Sequence, residues 1–589
     1  MAKRRVGVEI SRRGLLLAGT GLTTSFLPLP QAGAQVASMS TGAGSPDWTT
    51  LESQVAGRLV TPEWPLERCL AGAGGDDCAA FFASARNPYF LGDNPALTQT
   101  LGWVDAWASQ PSDRVLEAAS AADIAAAIRF ARDHKIRLVV KGGGHSYTGG
   151  SNAPGSLLIW TRRLNAIVLH DAFTPAGSDA EPVRAVSVGA GAIWGEVYKQ
   201  VCAGAGRYVQ GGGCLTVGVA GLIQSGGFGS LSKAFGTAAA SLLEAEVVTA
   251  DGAICTVNAV RDPELFFALK GGGGGTFGVV TRVTLRTHDM PATIGAVFAE
   301  VSARSDDAYR VLIDRMLQFY AENLHNPHWG EQIGFRPDNT LRISMLCQDV
   351  SQQRAEETWA PFWAWLRERT GDYDFSDPTV IVLDGRQFWD PDFLRTLPGI
   401  VLTDDRPGAD QDRIYWAGNR EESGQFLHAF ASVWVPAASL DPRSRGALVT
   451  GLFEASRHWS ITLHTNKGLA GAPDAVRERV RTQTATNPVV ADSFALAICG
   501  AEGPPAYPGV RGFEPDVDLA RRQAKQVRAA MDAFKTHVPA KGSYVSESDY
   551  FEANWEETFW GANYDRLRAV KIAYDPDNLF QVHHSVIAG

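Results

Sequence analysis

Two stretches of this chain hold too many glycines for any regular element, and each carries one reactive side chain. The first runs Lys141-Gly142-Gly143-Gly144-His145-Ser146-Tyr147-Thr148-Gly149-Gly150. The second runs Gly211-Gly212-Gly213-Cys214-Leu215-Thr216-Val217-Gly218, and continues through Gly221 to Gly226-Gly227-Phe228-Gly229. Glycine lets backbone N–H groups turn toward one anion and approach it closely, the usual way to hold a phosphate. A nucleophile inside each loop points to a ligand that is covalently attached as well as cradled. The chain must therefore fold so that both loops face one molecule.

The residues around the loops alternate between helix and strand signals. Ser120 and Asp123 form a capping pair that opens a helix with Ile124, Ala127, Ile128 and Ala131 on one face. Residues 136–140 read as a strand running into the first loop, and 157–160 as a second strand. A strand at 183–188 is followed by a helix at 193–202, which Gly204 and Gly206 are placed to end. Asp251-Gly252 joins strands 244–249 and 253–257 as a hairpin. A helix at 262–269, the glycines 271–275 and a strand at 279–285 complete two small α+β lobes.

From Met290 onward the elements lengthen. Helices are expected at 306–323, 351–370, 442–456 and 516–537, with strands at 331–336, 341–347, 430–435, 460–464 and 493–499. Asp338-Asn339 turns the first two strands into a hairpin, so this part reads as an antiparallel sheet covered by helices on one face. A last helix at 564–571 stops at Asp575-Pro576. Residues 35–64 read as a linker.

The N-terminus reads as a leader. Ser11-Arg12-Arg13-Gly14-Leu15-Leu16-Leu17 is a twin-arginine pattern, and Ala32-Gly33-Ala34 offers a cleavage site before Gln35. Residues 1–34 hold five basic side chains against Glu9 alone, a balance of +4, so cleavage would take the formal charge from −10 to −14. So acidic a chain argues against nucleic acid or an anionic membrane surface as partner. No stretch is long and apolar enough for a good membrane span. Of seven cysteines, Cys69 and Cys78 are close enough to bridge in an oxidising compartment, while Cys202, Cys255, Cys347 and Cys499 sit in apolar stretches as buried thiols.

Three other motifs fail on spacing. Gly189-x-Gly191-x-x-x-Gly195 is not the dinucleotide fingerprint and has no acidic residue some 20 positions on. The glycines 271–275 lack the Lys-Ser/Thr of a nucleotide triphosphate loop. His325 and His328 lack acidic or cysteine partners for a metal.

The two loops, with Asn87-Pro88-Tyr89-Phe90, Gly102-Trp103-Val104-Asp105, residues 555–564 and the closing Asp577-Asn578-Leu579-Phe580, resemble the berberine-bridge-enzyme-like branch of the FAD-linked oxidases, across 87–586. The resemblance implies an α+β fold: a two-lobed PCMH-type FAD-binding domain at 107–289, a substrate domain at 290–540, and a segment at 541–589 returning to the FAD domain, after an extension at 35–106. It implies FAD bonded at its 8α and 6 positions to His145 and Cys214. Flavin contacts would come from Lys141, Gly142, Gly143, Gly144, Ser146, Gly149, Gly150, Thr216, Val217, Gly218, Gly221, Gly226, Gly227, Gly278, Val280 and Asn578.

The implied reaction moves a hydride from a C–H bond beside a hydroxyl or amine to flavin N5, with oxygen reduced to hydrogen peroxide. The chain is more similar to members acting on alcohols or sugars than to plant alkaloid enzymes. In the family the residue three after the flavin-bonding cysteine controls oxygen access; the small Val217 there implies an oxidase over a dehydrogenase. Many relatives carry tyrosines at three active-site positions, where this chain has Tyr147, Phe228 and Phe559. The proton acceptor is therefore open among Tyr147, His464, Tyr415 and Tyr544, with Glu547 near the tail. A flavin-binding protein without turnover is the rival reading.

Overall fold

The computed structural model describes residues 46–72 and 75–589. The leader expected at 1–34 lies outside them. The first glycine loop leaves the end of a four-stranded sheet ordered Arg58–Val60, Arg114–Glu117, Ser156–Trp160, Arg137–Lys141. The last three run parallel, with helix Ala121–Asp133 as the crossover that parallel neighbours need. Ser120 Oγ accepts from the Asp123 N–H at 3.2 Å, and Ile124, Ala127, Ile128 and Ala131 are buried beneath the helix.

Within the stretch expected as a linker, Trp48–Glu52 is a helix and Arg58–Val60 an edge strand of this sheet. Burial of Asp123 holds it there: its carboxylate accepts from the backbone N–H groups of Ala56, Gly57 and Ala119 at 2.8 to 3.0 Å. The bonds to Ala56 and Gly57 join residues more than sixty positions apart, which no local pattern reveals. Cys69 and Cys78 form a disulfide in the segment that follows.

The second lobe is an antiparallel sheet ordered Ile254–Asn258, Leu242–Val248, Val279–Asp289, Val183–Gly189, Ile167–Phe173, with Arg207–Val209 on the far end of Val279–Asp289. Gly252, at φ +80°, makes the hairpin turn after Asp251. The helix expected at 193–202 is α-helical only at Trp194–Tyr198, then widens to a π-helix over Lys199–Gly204.

The largest sheet has ten strands and is ordered Tyr373–Phe375, Thr293–Ala303, Thr340–Gln348, Trp329–Phe335, Ile461–His464, Ser493–Gly503, Phe426–Pro436, Gly102–Trp103, Trp107–Ala108, with Thr379–Asp384 also on Thr293–Ala303. Strand residues Ile333, Phe335, Ile461, Leu463, Ala495 and Ala497 pack against helices Asp306–Phe319, Gln352–Arg367, Arg445–His458 and Val517–His537. Each large apolar side chain so buried contributes roughly 1.5–3 kcal/mol. Strand alternation then sends Gln332 and His464, cross-strand partners, to the opposite face. That free face looks toward the two lobes.

The tail crosses back to the lobes. Helix Tyr564–Tyr574 lies on Pro263–Leu269, and Arg566 pairs with Glu264 at 2.6 Å. Lys571, fully buried, donates to the Thr276 carbonyl at 2.7 Å, the Phe580 carbonyl at 2.6 Å and the Asp575 carboxylate at 2.7 Å. One ammonium thus ties the closing segment to the glycine run at 271–276.

Candidate active site

A cavity of about 590 Å³ lies where the lobes, the free face of the large sheet and the tail meet. Its floor is the two glycine loops, and they touch. A Cβ on Gly143 would sit 2.8 Å from the Gly218 nitrogen, and one on Gly218 would sit 2.7 Å from the Gly143 nitrogen. Real Cβ atoms do not approach so closely, so only glycine permits the contact. Gly144 then takes φ +77°, which turns the chain at His145.

His145 and Cys214 both open into this one cavity. The Thr216 hydroxyl lies 3.2 Å from His145 Nε2 and links the two loops. In the tautomer that donates from Nε2, the Nδ1 lone pair is the nucleophile. Burial lowers the His145 pKa to about 4, against a smaller opposing hydrogen bond from the ring to the Thr216 backbone, so the imidazole is neutral. The Asn419 amide sits 3.5 Å from Cys214 Sγ and 3.0 Å from Glu422. Burial, then the charges of Glu422 and Glu547, push the Cys214 thiol up to about 12. Burial also raises Glu422 itself to about 7.

Of the other expected flavin contacts, Gly142, Gly143, Gly144, Ser146, Gly150, Val217, Gly218, Gly221, Gly278 and Val280 line the cavity. Six do not. Lys141 turns away to donate to the carbonyls of Asn94 at 2.7 Å and Leu97 at 2.5 Å, because its strand position points it under the loop. Gly149 packs on Trp107, and Gly227 on Leu222 and Ala238, while Gly226 lies against Thr486. Thr216 acts through His145. Asn578, at φ +52°, turns the tail, and its side chain accepts from the Ala588 N–H at 2.8 Å.

Among the proton-acceptor candidates, Tyr147, His464 and Tyr544 line the cavity, as does Glu547. Tyr415 does not. It lies on a separate two-stranded sheet, buried against Tyr89 with ring centroids 6.4 Å apart, because strand Ile414–Trp416 pairs with Val401–Thr403 outside the large sheet. Burial raises the phenols of Tyr147 and Tyr544 and lowers His464 well below its ordinary value. Phe228 packs edge-on to Tyr544 at 5.0 Å, so this aromatic wall keeps one phenol where the phenylalanine supplies none.

Sequence reasoning missed Glu331, Gln332, Glu422 and Lys467, all on the wall. Lys467 pairs with Glu547, eighty residues away, and lies over the Tyr544 ring at 5.9 Å. The glycines 273–275, dismissed as a triphosphate loop, line the cavity too. Beside them the buried Thr276 Oγ1 and Gln224 Oε1 have no hydrogen-bond partner. Unsatisfied buried polar atoms on a glycine-lined wall suit a polar ligand that supplies the missing bonds. With His145 and Cys214 in the same cavity, the residues present fit FAD.

The family description "FAD binding domain" matches residues 112–258, and "Berberine and berberine like" matches 543–587. FAD-linked oxidoreductase ZEB1 of Gibberella zeae is 30% identical over 480 residues, covering 80% of this chain and 75% of that protein. FAD-linked oxidoreductase easE of Arthroderma otae is 44% identical over 472 residues, covering 78% and 70%. This chain is a berberine-bridge-like FAD-linked oxidoreductase.

The VAO-type flavoprotein MtVAO615 of Myceliophthora thermophila shares this oxidoreductase's fold, with a TM-score of 0.74 and 24% identity over 93% of this chain and 96% of that one. Glucooligosaccharide oxidase of Acremonium strictum, described as carrying a 6-S-cysteinyl, 8α-N1-histidyl FAD, has a TM-score of 0.64 at 19% identity, over 86% and 98%. Among the described residues of the oxidoreductase, no helix is long and apolar enough to cross a membrane, and no cluster of side chains is arranged to hold a metal ion.

Proposed function

We propose that this oxidoreductase is an exported oxidase with FAD bonded at both His145 and Cys214, and that it oxidises an alcohol or sugar hydroxyl. The observation that carries this reading is the meeting of both nucleophiles in one glycine-floored cavity. FAD, when bound, accepts the hydride at N5 and passes its electrons to oxygen, giving hydrogen peroxide. The neutral His145, with Thr216 on Nε2, offers Nδ1 for the 8α bond. Val217 lines the cavity, and its small side chain supports oxygen as the acceptor. The twin-arginine leader supports export after folding, the order a cofactor-loaded protein requires.

The protein's part in the chemistry is to orient the substrate against the flavin and to take its hydroxyl proton, since an alkoxide releases hydride far more readily than an alcohol. Lys467, Asn466 and Gln332 offer donors to sugar oxygens on the sheet side. Similarity to glucooligosaccharide oxidase and chitooligosaccharide oxidase supports a sugar or related alcohol. A second reading, an amine substrate, draws on the wall's three carboxylates, Glu331, Glu422 and Glu547, against the one ammonium of Lys467.

Anaerobic mixing with panels of sugars, alcohols and amines tests the reaction. The expected outcome is flavin bleaching by a hydroxyl substrate and stoichiometric peroxide on admitting air. Bleaching by amines alone would replace the substrate class. Turnover with a dye but no peroxide would make the protein a dehydrogenase, and no bleaching at all would leave a flavin protein without turnover.

A further inference from the structure

One acidic side chain faces the cavity from a position where the strand should have hidden it. In Trp329–Phe335 the residues Trp329, Ile333 and Phe335 all point into the helix-covered core. Strand alternation puts residue 331 on that same side, opposite Met345, itself a core residue. Yet Glu331 lines the cavity, beside its neighbour Gln332. The reversal comes from the backbone: Glu331 has φ +75°, the left-handed region that a non-glycine residue rarely enters.

That conformation is held from several sides. The Glu331 carbonyl accepts from the Thr465 N–H at 2.8 Å and the Thr465 hydroxyl at 2.9 Å. The Asn466 amide donates to the Glu331 carboxylate at 3.2 Å and also to the Gly229 carbonyl at 3.2 Å. A Cβ on Gly330 would sit 2.7 Å from the Ser230 carbonyl oxygen, so glycine there lets the strand press against the loop that follows Cys214. Backbone strain of this kind costs of order 1–3 kcal/mol and persists where surrounding structure enforces it, most often at functional sites.

We infer that Glu331 is the proton acceptor in substrate oxidation, brought into the cavity by its left-handed backbone. The inference rests on the hydroxyl-oxidising reading above. In the step, the substrate O–H bond breaks and its proton passes to the Glu331 carboxylate. The adjacent C–H hydrogen would leave with its electron pair as a hydride, which bound flavin would accept, and the C–O bond becomes C=O. Oxygen would then take up the two electrons, with the hydride's hydrogen and the proton held by Glu331, as hydrogen peroxide.

The other wall groups are less suited. Burial raises the phenols of Tyr147 and Tyr544, which disfavours their ionised forms, and burial with the charge of Lys467 lowers His464 well below its ordinary value. Glu547 is tied to Lys467, and Glu422 stands with Asn419 on the Cys214 side. Burial raises the Glu331 pKa, with Ser230 and Lys467 opposing and Glu547 adding to it, which makes the carboxylate a stronger base than one in water.

The sign of its effect on stability follows. An acid whose folded pKa lies above its unfolded value weakens the fold as pH rises from the unfolded pKa through the folded one, and the penalty is complete above both. The test is Glu331→Gln in the flavin-loaded protein, with a substrate that bleaches the wild type. Flavin reduction should slow by about 100-fold or more. The acidic limb of the wild-type rate–pH profile should vanish, and Glu331→Asp should restore it. At pH 8 the Gln variant should melt at the same temperature as the wild type or higher, because it carries no buried charge. Reduction at the wild-type rate with the acidic limb intact would overturn the assignment, as would a lower melting temperature together with an unshifted profile. A wild type that no alcohol reduces would instead remove the reaction itself, an outcome separable from failure of the variant alone.

Discussion

At His145 and Cys214 the decisive neighbours are the glycines, because the two loops meet backbone to backbone. Gly143→Ala would place a Cβ 2.8 Å from the Gly218 nitrogen and 3.0 Å from the Thr216 carbonyl oxygen. Both atoms are main chain and cannot swing aside, so the loops must part and the His145–Thr216 link stretch with them. The variant is expected to fold but to be isolated with little or no bound flavin, read from the ratio of its visible to its ultraviolet absorbance. The two nucleophiles were legible in sequence because glycine runs are unusual and each holds one reactive side chain. Glu331 was not. Its neighbours Trp329, Ile333 and Phe335 predict an inward-facing position, and only its φ of +75° reverses that. A glutamate gives no warning of φ above zero, as glycine or asparagine would. Lys467 was hidden for another reason, its partnership with Glu547 spanning eighty residues.

Among the elements, those with strong periodicity stand where the sequence puts them. The capped helix Ala121–Asp133, the hairpin at Asp251-Gly252 and the long helix Val517–His537 each carry a local signal sufficient to form them. Elements set by distant bonds were misread, the edge strand Arg58–Val60 being the clearest. Its approach depends on Asp123, whose carboxylate holds three backbone N–H groups from two segments. Burial raises the Asp123 pKa, but those bonds outweigh it and leave the group more acidic than usual. Asp123→Ala leaves the three donors unpaired and is expected to destabilise the protein by about 3 kcal/mol or more: each bond to a charged group is worth roughly 1.5–3, and water reaching the freed N–H groups recovers part of the total. Denaturant unfolding of the variant checks this, together with protease cleavage between residues 46 and 60, which should become faster than in the wild type. A midpoint unchanged from wild type would mean that Asp123 does not hold the edge strand.

The whole molecule is organised around a cavity that no single segment builds: two lobes give its floor, a sheet its wall, and the last residues its closure. Lys571 is the clasp, bonding Thr276, Phe580 and Asp575 at once. Lys571→Met would leave the Asp575 carboxylate buried without its cation, a loss of about 3–5 kcal/mol. The expected result is a lower melting temperature and weakened flavin retention, because the tail lines the cavity through Val582, His583 and His584. The proposed grip of both glycine loops on one flavin is tested most directly by acid precipitation of the purified protein followed by mass spectrometry of its peptides. Yellow colour should stay with the pellet, and a single flavin mass should join the His145 peptide to the Cys214 peptide. His145→Ala and Cys214→Ala should each retain the other bond. Colour released into the acid supernatant, with both peptides at their unmodified masses, would contradict it.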